Sequence, residues 1–262
     1  MPVPQDHFQM MLHFATKERP EEVNNFDDMA KRLCTANFGS MHQTSIQATN
    51  MLLDILGSDA DFNTVAVLRD EVIRIIGPRI SLNNPQNSWT KAKIAAMVRA
   101  DSVARETLRT NSFGNRAIIR KVMVDGLVTE DGIALPKGAV LSFLSHPAHT
   151  DSEHLDNPLK YDPFRFSRMR ESAADARGRP GLGTLSFVST SGQYLPFGHG
   201  KHACPGRFLV DFELKMIIAH VLMRYDVQFP EEYEGKRPQN IWMTEANLPP
   251  PGVKIMVKMK KE

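Results

Sequence analysis

The sequence has little of what marks the specialised classes of protein. Only two of its 262 residues are cysteine, Cys34 and Cys204, and they lie far apart, so no disulfide framework is indicated and reduced thiols are expected. No apolar run approaches the ~18 residues that a membrane span needs. The segment Met1–Asp6 lacks the basic stretch and the apolar stretch of a secretory signal. These absences predict an intracellular chain with no membrane anchor of its own.

An excess of charge of one sign is also lacking. The formal net charge is +2, which is no signature of a nucleic-acid-binding surface, so we expect no nucleic-acid partner. Charged residues at 24% are average for a globular protein, and 42% hydrophobic residues can form a sizeable core. There are no internal repeats, and the length fits one large domain or two small ones.

The hydrophobic pattern predicts a mainly helical α+β fold with a small β-sheet. The longest candidate helix begins at Asp27 or Asp28, whose carboxylates suit the positive end of a helix dipole, and apolar or small residues recur along it at intervals of three and four. We predict further helices over residues 6–18, 62–76 and 90–109, and from just after Cys204 to Tyr225. Strands are predicted over residues 117–124, 133–135 and 139–143. A surface loop is predicted over residues 167–196, and a closing hairpin near residues 249–259.

One short segment, Phe197–Gly206, carries the clearest chemical signal. Cys204 lies just before a predicted helix, whose free N–H groups and positive dipole end would stabilise a thiolate. A cysteine thiolate can hold haem iron. The glycines would let the backbone turn and approach a flat macrocycle, and the phenylalanine would shield the sulfur from water. The candidate cofactor contacts in this segment are Phe197, Gly198, Gly200 and Gly206.

Other chemistries of this cysteine stay open on the residues alone. A lone cysteine is often a small buried hydrophobe. Zinc could use His199 and His202, but structural zinc takes four ligands and no second ligand pair is apparent. A Cys–His nucleophile is a third alternative. None of these alternatives explains the spacing of the glycines and the phenylalanine.

Three motifs resemble motifs of the cytochrome P450 family, and they follow one another along the chain in the order that the family shows. The cysteine segment matches Phe-x-x-Gly-x-x-x-Cys-x-Gly at every fixed position. Glu106-Thr107-Leu108-Arg109 matches Glu-x-x-Arg, and its i, i+3 spacing places both charged side chains on one helix face. Pro163-Phe164-Arg165-Phe166 stands where the family has Pro-x-Arg-Phe, with Phe164 where many members have an acid. The surrounding sequence resembles fungal secondary-metabolite members in particular.

The resemblance implies a haem b cofactor, iron protoporphyrin IX, with Cys204 as the axial ligand of the iron. It implies that His202 and Arg120 contact the haem propionates. It also implies a buried network in which two arginines bind one carboxylate and lock the core beneath the haem. The residues of this structural network are Glu106, Arg109 and Arg165.

The segment that activates oxygen departs from the family's pattern. In the family, the long helix carries Ala/Gly-Gly-x-Asp/Glu-Thr-Thr/Ser over the haem. In the corresponding segment Phe38–Ser45, His42 stands in place of the acid, Gln43 in place of the key threonine, and Thr44 one position later. We take these three side chains as candidates for proton delivery. The departure also leaves open a reaction without oxygen insertion.

The matched elements belong to the C-terminal half of the family's domain, so we predict that residues 1–262 form a single partial cytochrome P450 domain. The implied function is a monooxygenase that oxidises a small apolar substrate, such as a terpenoid or polyketide intermediate, with O2 and with electrons ultimately from NADPH. An NADPH-dependent reductase would dock on the cysteine face, where Lys201 and Arg207 could contribute. A full-length parent is expected in the endoplasmic reticulum membrane. The alternatives are a truncated haem-binding or inactive fragment and a non-oxygenating haem-thiolate enzyme.

Overall fold

Most of the chain is helical. The structure, a computed structural model, describes residues 6–78, 89–177 and 185–260. The helices are α1 His7–Glu18, α2 Phe26–Gly57, α3 Asp59–Phe62, α4 Thr64–Ile76, α5 Lys91–Ala95, α6 Val98–Thr110, α7 Ser145–His149, α8 Arg165–Arg177 and α9 Arg207–Arg224. The strands are β1 Arg116–Lys121, β2 Leu127–Val128, β3 Ala134–Leu135, β4 Val140–Leu144, β5 Tyr225–Gln228, β6 Ile241–Met243, β7 Ala246–Leu248 and β8 Met256–Met259. The predicted α+β class is confirmed.

The chain divides into two compact units, Met1–Ser45 and Ile46–Glu262. In the first unit, the Asp6 carboxylate caps α1 by accepting a hydrogen bond of 2.7 Å from the Gln9 N–H. The long helix α2 begins in this unit and continues to Gly57, as its hydrophobic pattern predicts. The prediction of a single partial domain over 1–262 stays a prediction.

The core of the second unit lies between α4, α6 and α9, which pack against one another. Each of these helices contributes apolar side chains that are almost wholly buried, and burial of each valine, leucine or isoleucine side chain stabilises the fold by about 1.5–3 kcal/mol. The central members are Leu68 and Val72 on α4, Val103 and Ala104 on α6, and Ile218 and Leu222 on α9. This packing fixes α6, which carries the Glu-x-x-Arg motif, beside α9, which follows the cysteine.

Glu71 on α4 sets the start of α6. Its buried carboxylate accepts hydrogen bonds from the N–H groups of Arg99 and Ala100 at 2.8 and 2.9 Å. These donors belong to the first turn of α6, which has no partner for them within the helix. Burial raises the pKa of Glu71, while the two N–H groups act in the opposite direction. The contact therefore anchors the N-terminal end of the motif-bearing helix.

The described strands form four antiparallel pairs: β1 with β4, β2 with β3, β5 with β8, and β6 with β7. In the longest pair, Ile118 lies opposite Phe143 and Lys121 opposite Val140. The strand pair β6–β7 is a hairpin, and Thr244 in its turn has a positive φ of 56°. The sheets are small, as predicted.

Two predictions about the C-terminal part were wrong. Residues 167–177, predicted as loop, lie in α8. The serines and arginines of this stretch are accompanied by alanine, methionine and glutamate, which favour helix, and this propensity outweighs the polar composition. The second error concerns the closing hairpin: β8 forms but pairs with β5, which follows α9 directly, and not with a neighbour in sequence. Residues 178–184 of the predicted loop lie outside the described residues.

None of the helices in the three described ranges is both long enough and apolar enough to cross a membrane.

Candidate functional site

The cysteine segment closes on itself through backbone hydrogen bonds. The Cys204 N–H donates to the Phe197 carbonyl at 2.8 Å, and the Gly198 N–H donates to the Leu195 carbonyl at 3.0 Å. Between them, Gly200–His202 forms one turn of 3-10 helix. Cys204 is a free cysteine with intermediate exposure. The result is a short ring of backbone that presents one thiol.

Two glycines of this ring have backbone conformations that other residues rarely adopt. Gly198 has φ of 69° and Gly200 has φ of 72°. A Cβ at Gly198 would also lie 3.4 Å from the carbonyl oxygen of Ala117 on β1. Gly206 differs, because its φ is −73° and its Cβ would lie 3.8 Å from the Cys204 sulfur. Gly206 therefore leaves space beside the sulfur rather than permitting an unusual turn.

Helix α9 begins at Arg207, three residues after the cysteine, with Gly206 as its N-cap. The free N–H groups of its first turn and the positive end of its dipole therefore lie next to Cys204. The Arg207 guanidinium donates to the Cys204 carbonyl at 2.6 Å and to the Val188 carbonyl at 3.1 Å. Arg207 was predicted only as a surface cation for partner docking. Its two hydrogen bonds show that it also holds the backbone of the cysteine segment.

Phe197 joins the cysteine segment to the core. Its ring meets the fully buried Phe187 edge to face, with ring centroids 5.2 Å apart. The Phe187 N–H donates at 3.0 Å to the carboxylate of Asp101 on α6. That carboxylate also receives Lys215 from α9 at 2.7 Å and Arg170 from α8 at 2.8 Å. The buried Asp101 therefore connects three helices to the aromatic pair.

The three members of the predicted arginine–carboxylate network lie in direct contact. Glu106 is fully buried, and its two oxygens accept from Arg109 Nε and Nη2 at 2.8 and 2.7 Å. Arg165 Nε donates to Glu106 Oε1 at 3.2 Å. The backbone N–H of Asp162 supplies a fourth bond to this carboxylate, at 3.1 Å. The charge of Glu106 is therefore fully compensated inside the protein.

The two arginines extend this network into the segment after α7. Arg109 Nη1 donates to the carbonyls of His149 and Pro158 at 2.8 and 2.6 Å. Arg165 donates to the carbonyls of Asp156, Asn157 and Lys160 at 2.6, 3.3 and 3.0 Å. Five backbone carbonyls are thereby held by two guanidinium groups.

His149 was missed by sequence reasoning. It ends α7 and is fully buried, with Nδ1 3.2 Å from the Arg109 carbonyl and Nε2 accepting from the Leu195 N–H at 2.7 Å. Burial is the largest influence on the pKa of His149 and lowers it to about 3, and the positive charges of Arg109 and Arg105 act in the same direction. The hydrogen bond with the Arg109 carbonyl is the second-largest influence and acts in the opposite direction. No motif marks this side chain, because its two partners lie 40 and 46 residues away in the chain.

The two predicted propionate contacts are exposed. His202 lies in the 3-10 turn of the cysteine segment. Arg120 lies on β1, three residues from the Ala117 carbonyl that Gly198 approaches, and its guanidinium donates to the neighbouring Ile119 carbonyl at 2.9 Å. Both residues therefore belong to elements that border the ring of backbone around Cys204, and their role stays a prediction.

The comparison with known families fits this geometry. A model of the family described as Cytochrome P450 matches residues 4–257. The chain belongs to the cytochrome P450 family. The predicted resemblance is confirmed.

The similar curated proteins are fungal cytochrome P450 monooxygenases. The chain is 55% identical to cytochrome P450 monooxygenase astC of Aspergillus terreus and to pbrC of Penicillium brasilianum, in each case over 98% of this chain and 47% of the relative. It is 48% identical to tenB of Beauveria bassiana, over 99% of this chain and 48% of the relative. The chain therefore spans about half the length of the curated relatives it matches.

The cytochrome P450 family implies a haem cofactor, and the residues around Cys204 fit one. The chain offers a single free thiol at the start of a long helix, set in a ring whose left-handed glycines keep side chains away. Within the described ranges, no group of three or more His, Cys, Asp or Glu side chains could hold a metal ion. That part of the chain therefore offers no set of side chains for a zinc site, whereas a haem-thiolate site needs only one cysteine ligand from the protein.

The candidates for proton delivery lie in the first unit of this cytochrome P450 chain, on α2. His42 and Gln43 are exposed, and the His42 ring lies 4.7 Å from the Phe38 ring. Thr44 is buried, and its hydroxyl has no hydrogen-bond partner among the described residues. The three neighbours in sequence thus differ in environment, and their role stays a prediction.

Proposed function

We propose that this chain is the haem-ligating part of a fungal haem-thiolate monooxygenase, with Cys204 as the axial ligand. The observation that carries the proposal is the closed ring from Phe197 to Cys204, which presents a lone thiol at the N-terminal end of α9. The family match and the monooxygenase names of the relatives support the reaction class. The substrate is a small apolar molecule of secondary metabolism, such as a terpenoid or polyketide intermediate.

In this proposal the chain positions the cofactor. Haem, when bound, supplies the chemistry that activates O2. Cys204 would hold the iron through its sulfur, at the N-terminal end of α9. The rings of Phe197 and Phe187 would keep water from one side of the cysteine segment. His202 and Arg120 would contact the propionates.

Electrons reach the site from NADPH through a reductase in this proposal, and a longer parent is held at the endoplasmic reticulum membrane. On the cysteine face, Lys201 is exposed and makes no ion pair among the described residues, so it is the better candidate for docking an acidic reductase surface. Arg207 is occupied by the carbonyls of Cys204 and Val188. Proton delivery is assigned to the segment His42–Thr44.

A second candidate function is haem binding without turnover, and the exposed apolar surface of the second unit favours it. This unit exposes large apolar side chains on its small sheets, including Ile119, Phe143, Trp242 and Met243. Apolar patches of this kind usually have a covering partner. A non-oxygenating haem-thiolate reaction remains the alternative chemistry, because Gln43 replaces the usual threonine.

Electron-dependent turnover separates these functions. The haem-supplied chain would be assayed with NADPH and a fungal reductase, beside Cys204→Ala and the matched control Cys34→Ala, which removes the exposed cysteine of α2. The proposal predicts O2 and NADPH consumption in the wild type and in Cys34→Ala, and none above background in Cys204→Ala. Haem binding without consumption would support the non-oxygenating or inactive alternatives.

A further inference from the structure

His149 lies between the buried ion pair and the cysteine segment. Both of its ring nitrogens are used: Nδ1 lies 3.2 Å from the Arg109 carbonyl, and Nε2 lies 2.7 Å from the Leu195 nitrogen. These partners come from α6 and from the loop that leads to the cysteine. A buried histidine with two such partners acts as a cross-link between the two segments.

The two bonds together define the protonation state of the ring. A backbone N–H can only donate, so Nε2 must carry a lone pair toward Leu195. The single proton of a neutral imidazole then lies on Nδ1, from which it donates to the Arg109 carbonyl. A charged imidazolium would turn Nε2 into a donor that faces another donor. The link therefore exists only in the neutral Nδ1–H form.

Further hydrogen bonds extend this link to the buried ion pair on one side and to the cysteine segment on the other. On the ion-pair side, Arg109 returns a hydrogen bond of 2.8 Å from Nη1 to the His149 carbonyl, so the two residues hold each other twice. On the cysteine side, the Leu195 carbonyl accepts from the Gly198 N–H at 3.0 Å, which begins the ring that ends at Cys204. The imidazole of His149 thus connects the Glu106–Arg109 pair to the cysteine segment by hydrogen bonds.

The surroundings disfavour a charged ring. Arg105 and Arg109 from α6 place positive charge toward His149, and His146 from its own helix α7 is a further titratable group that faces it. The Tyr194 ring lies against it with centroids 5.6 Å apart and is itself covered by the Arg105 guanidinium. The carboxylate of Glu106, on the same helix as Arg109, is already paired with Arg109 and Arg165. No counter-charge is left for an imidazolium among these elements.

We propose that His149 is a positioning residue that holds the haem-ligand loop in register with the Glu106–Arg109 pair through its neutral Nδ1–H tautomer. This role rests on the proposed function, because it needs Cys204 as the ligand. Glutamine can imitate both contacts, since one end of its amide donates and the other accepts. Phenylalanine keeps the shape of the ring and removes both contacts.

The test compares His149→Gln and His149→Phe with His146→Gln, a change in the neighbouring half-buried histidine. Each haem-supplied protein is reduced, treated with carbon monoxide and scored for the ratio of the thiolate-type Soret band to the non-thiolate band. We expect His149→Phe to lower this ratio at least about fivefold, the factor that the loss of one neutral hydrogen bond is worth. His149→Gln should recover most of the ratio, and His146→Gln should leave it unchanged. An unchanged ratio in His149→Phe overturns the proposal.

The ring tautomer gives a readout that needs no variant and no activity. Nitrogen chemical shifts of the unmodified chain should show a protonated Nδ1 and an unprotonated Nε2 at His149, with no titration between pH 7 and pH 5. A protonated Nε2 or a charged ring overturns the proposal even if the haem spectrum is normal. The absence of any thiolate-type band in the wild type, beside the expected tautomer, would instead overturn the proposed function and the positioning role with it.

Discussion

The two regions that the family resemblance predicts to serve haem chemistry differ in how fully their polar groups are paired. Around Glu106, the charges of Glu106, Arg109 and Arg165 meet partners at hydrogen-bond distance, and hydrogen bonds continue through His149 to the cysteine segment. Along the segment His42–Thr44 of α2, two candidate side chains are exposed and the buried Thr44 hydroxyl has no partner among the described residues. The region around Glu106 and Cys204 is therefore the more organised of the two, and the segment His42–Thr44 is the less organised.

Loss of the Glu106 carboxylate would break the organised region most severely. In Glu106→Ala, Arg109 would remain buried without a counter-charge, and the cost is expected to be about 3–5 kcal/mol of unfolding free energy. Glu171→Ala is the matched control, because Glu171 forms a half-exposed pair with Arg99 at 3.5 Å. Exposed pairs contribute about 0–1 kcal/mol. Urea unfolding measures both, and equal losses in the two variants would contradict the account.

The pH dependence of stability tests the same region at His149. The pKa of His149 falls from 6.5 to about 3 on folding, so only the unfolded chain takes up this proton between those values and stability is lost as the pH falls. The stability advantage of the wild type over His149→Gln should therefore shrink by roughly 2 kcal/mol between pH 7 and pH 5. Urea unfolding at the two pH values measures this change.

The buried acid Asp54 makes stability change with pH in the direction opposite to that of His149. Burial raises the pKa of Asp54 from 3.8 to about 6, so the folded chain holds this proton more tightly and Asp54 adds stability as the pH falls. Because Asp54 is present in both proteins, its effect cancels in the difference between the wild type and His149→Gln. A difference that does not change with pH would show that His149 is not buried in its neutral form.

Two glycines of the cysteine segment are expected to differ in what they contribute, one to stability and the other to the haem site. Gly198→Ala forces a side chain into a left-handed backbone beside the Ala117 carbonyl, and we expect a loss of about 1–2 kcal/mol. Gly206→Ala keeps an allowed backbone and should alter the haem spectrum more than stability, since its Cβ would face the Cys204 sulfur. Thermal unfolding with and without haem separates the two, and identical behaviour would contradict the distinct roles.

The smallest effect is expected in the segment His42–Thr44. Gln43 is exposed, so Gln43→Ala should change the unfolding free energy by less than about 0.5 kcal/mol and leave the haem spectrum intact. If the segment delivers protons, the variant should instead change the fraction of NADPH electrons that reach product. Loss of the haem spectrum in this variant would contradict the division between the two regions.

Sequence reasoning found the parts of the site that rest on local spacing. The i, i+3 spacing of Glu106 and Arg109 and the helix that follows Cys204 are properties of a few neighbouring residues. Their partners could not be predicted in the same way. His149, Asp101 and Lys215 gain their roles from contacts across 40 to 114 residues of chain. A lone histidine or lysine in sequence carries no sign of such a partner.

The fold shows the same division. Helices α1, α2, α4 and α9 were predicted nearly to their ends, because their apolar residues repeat with the helical period. Helix α8 was missed, since its serines and arginines are equally typical of a loop and its start depends on the contacts of Arg165. The pairing of β8 with β5 is set by tertiary packing and not by a turn.

The most direct test of the central claim is the carbon-monoxide difference spectrum of the reduced, haem-supplied chain, measured beside Cys204→Ala and Cys34→Ala. We expect a strongly red-shifted Soret band in the wild type and in Cys34→Ala, and its absence in Cys204→Ala. A red-shifted band that survives in Cys204→Ala, or folded wild-type protein that binds haem without this band, would contradict the assignment of Cys204 as the axial ligand.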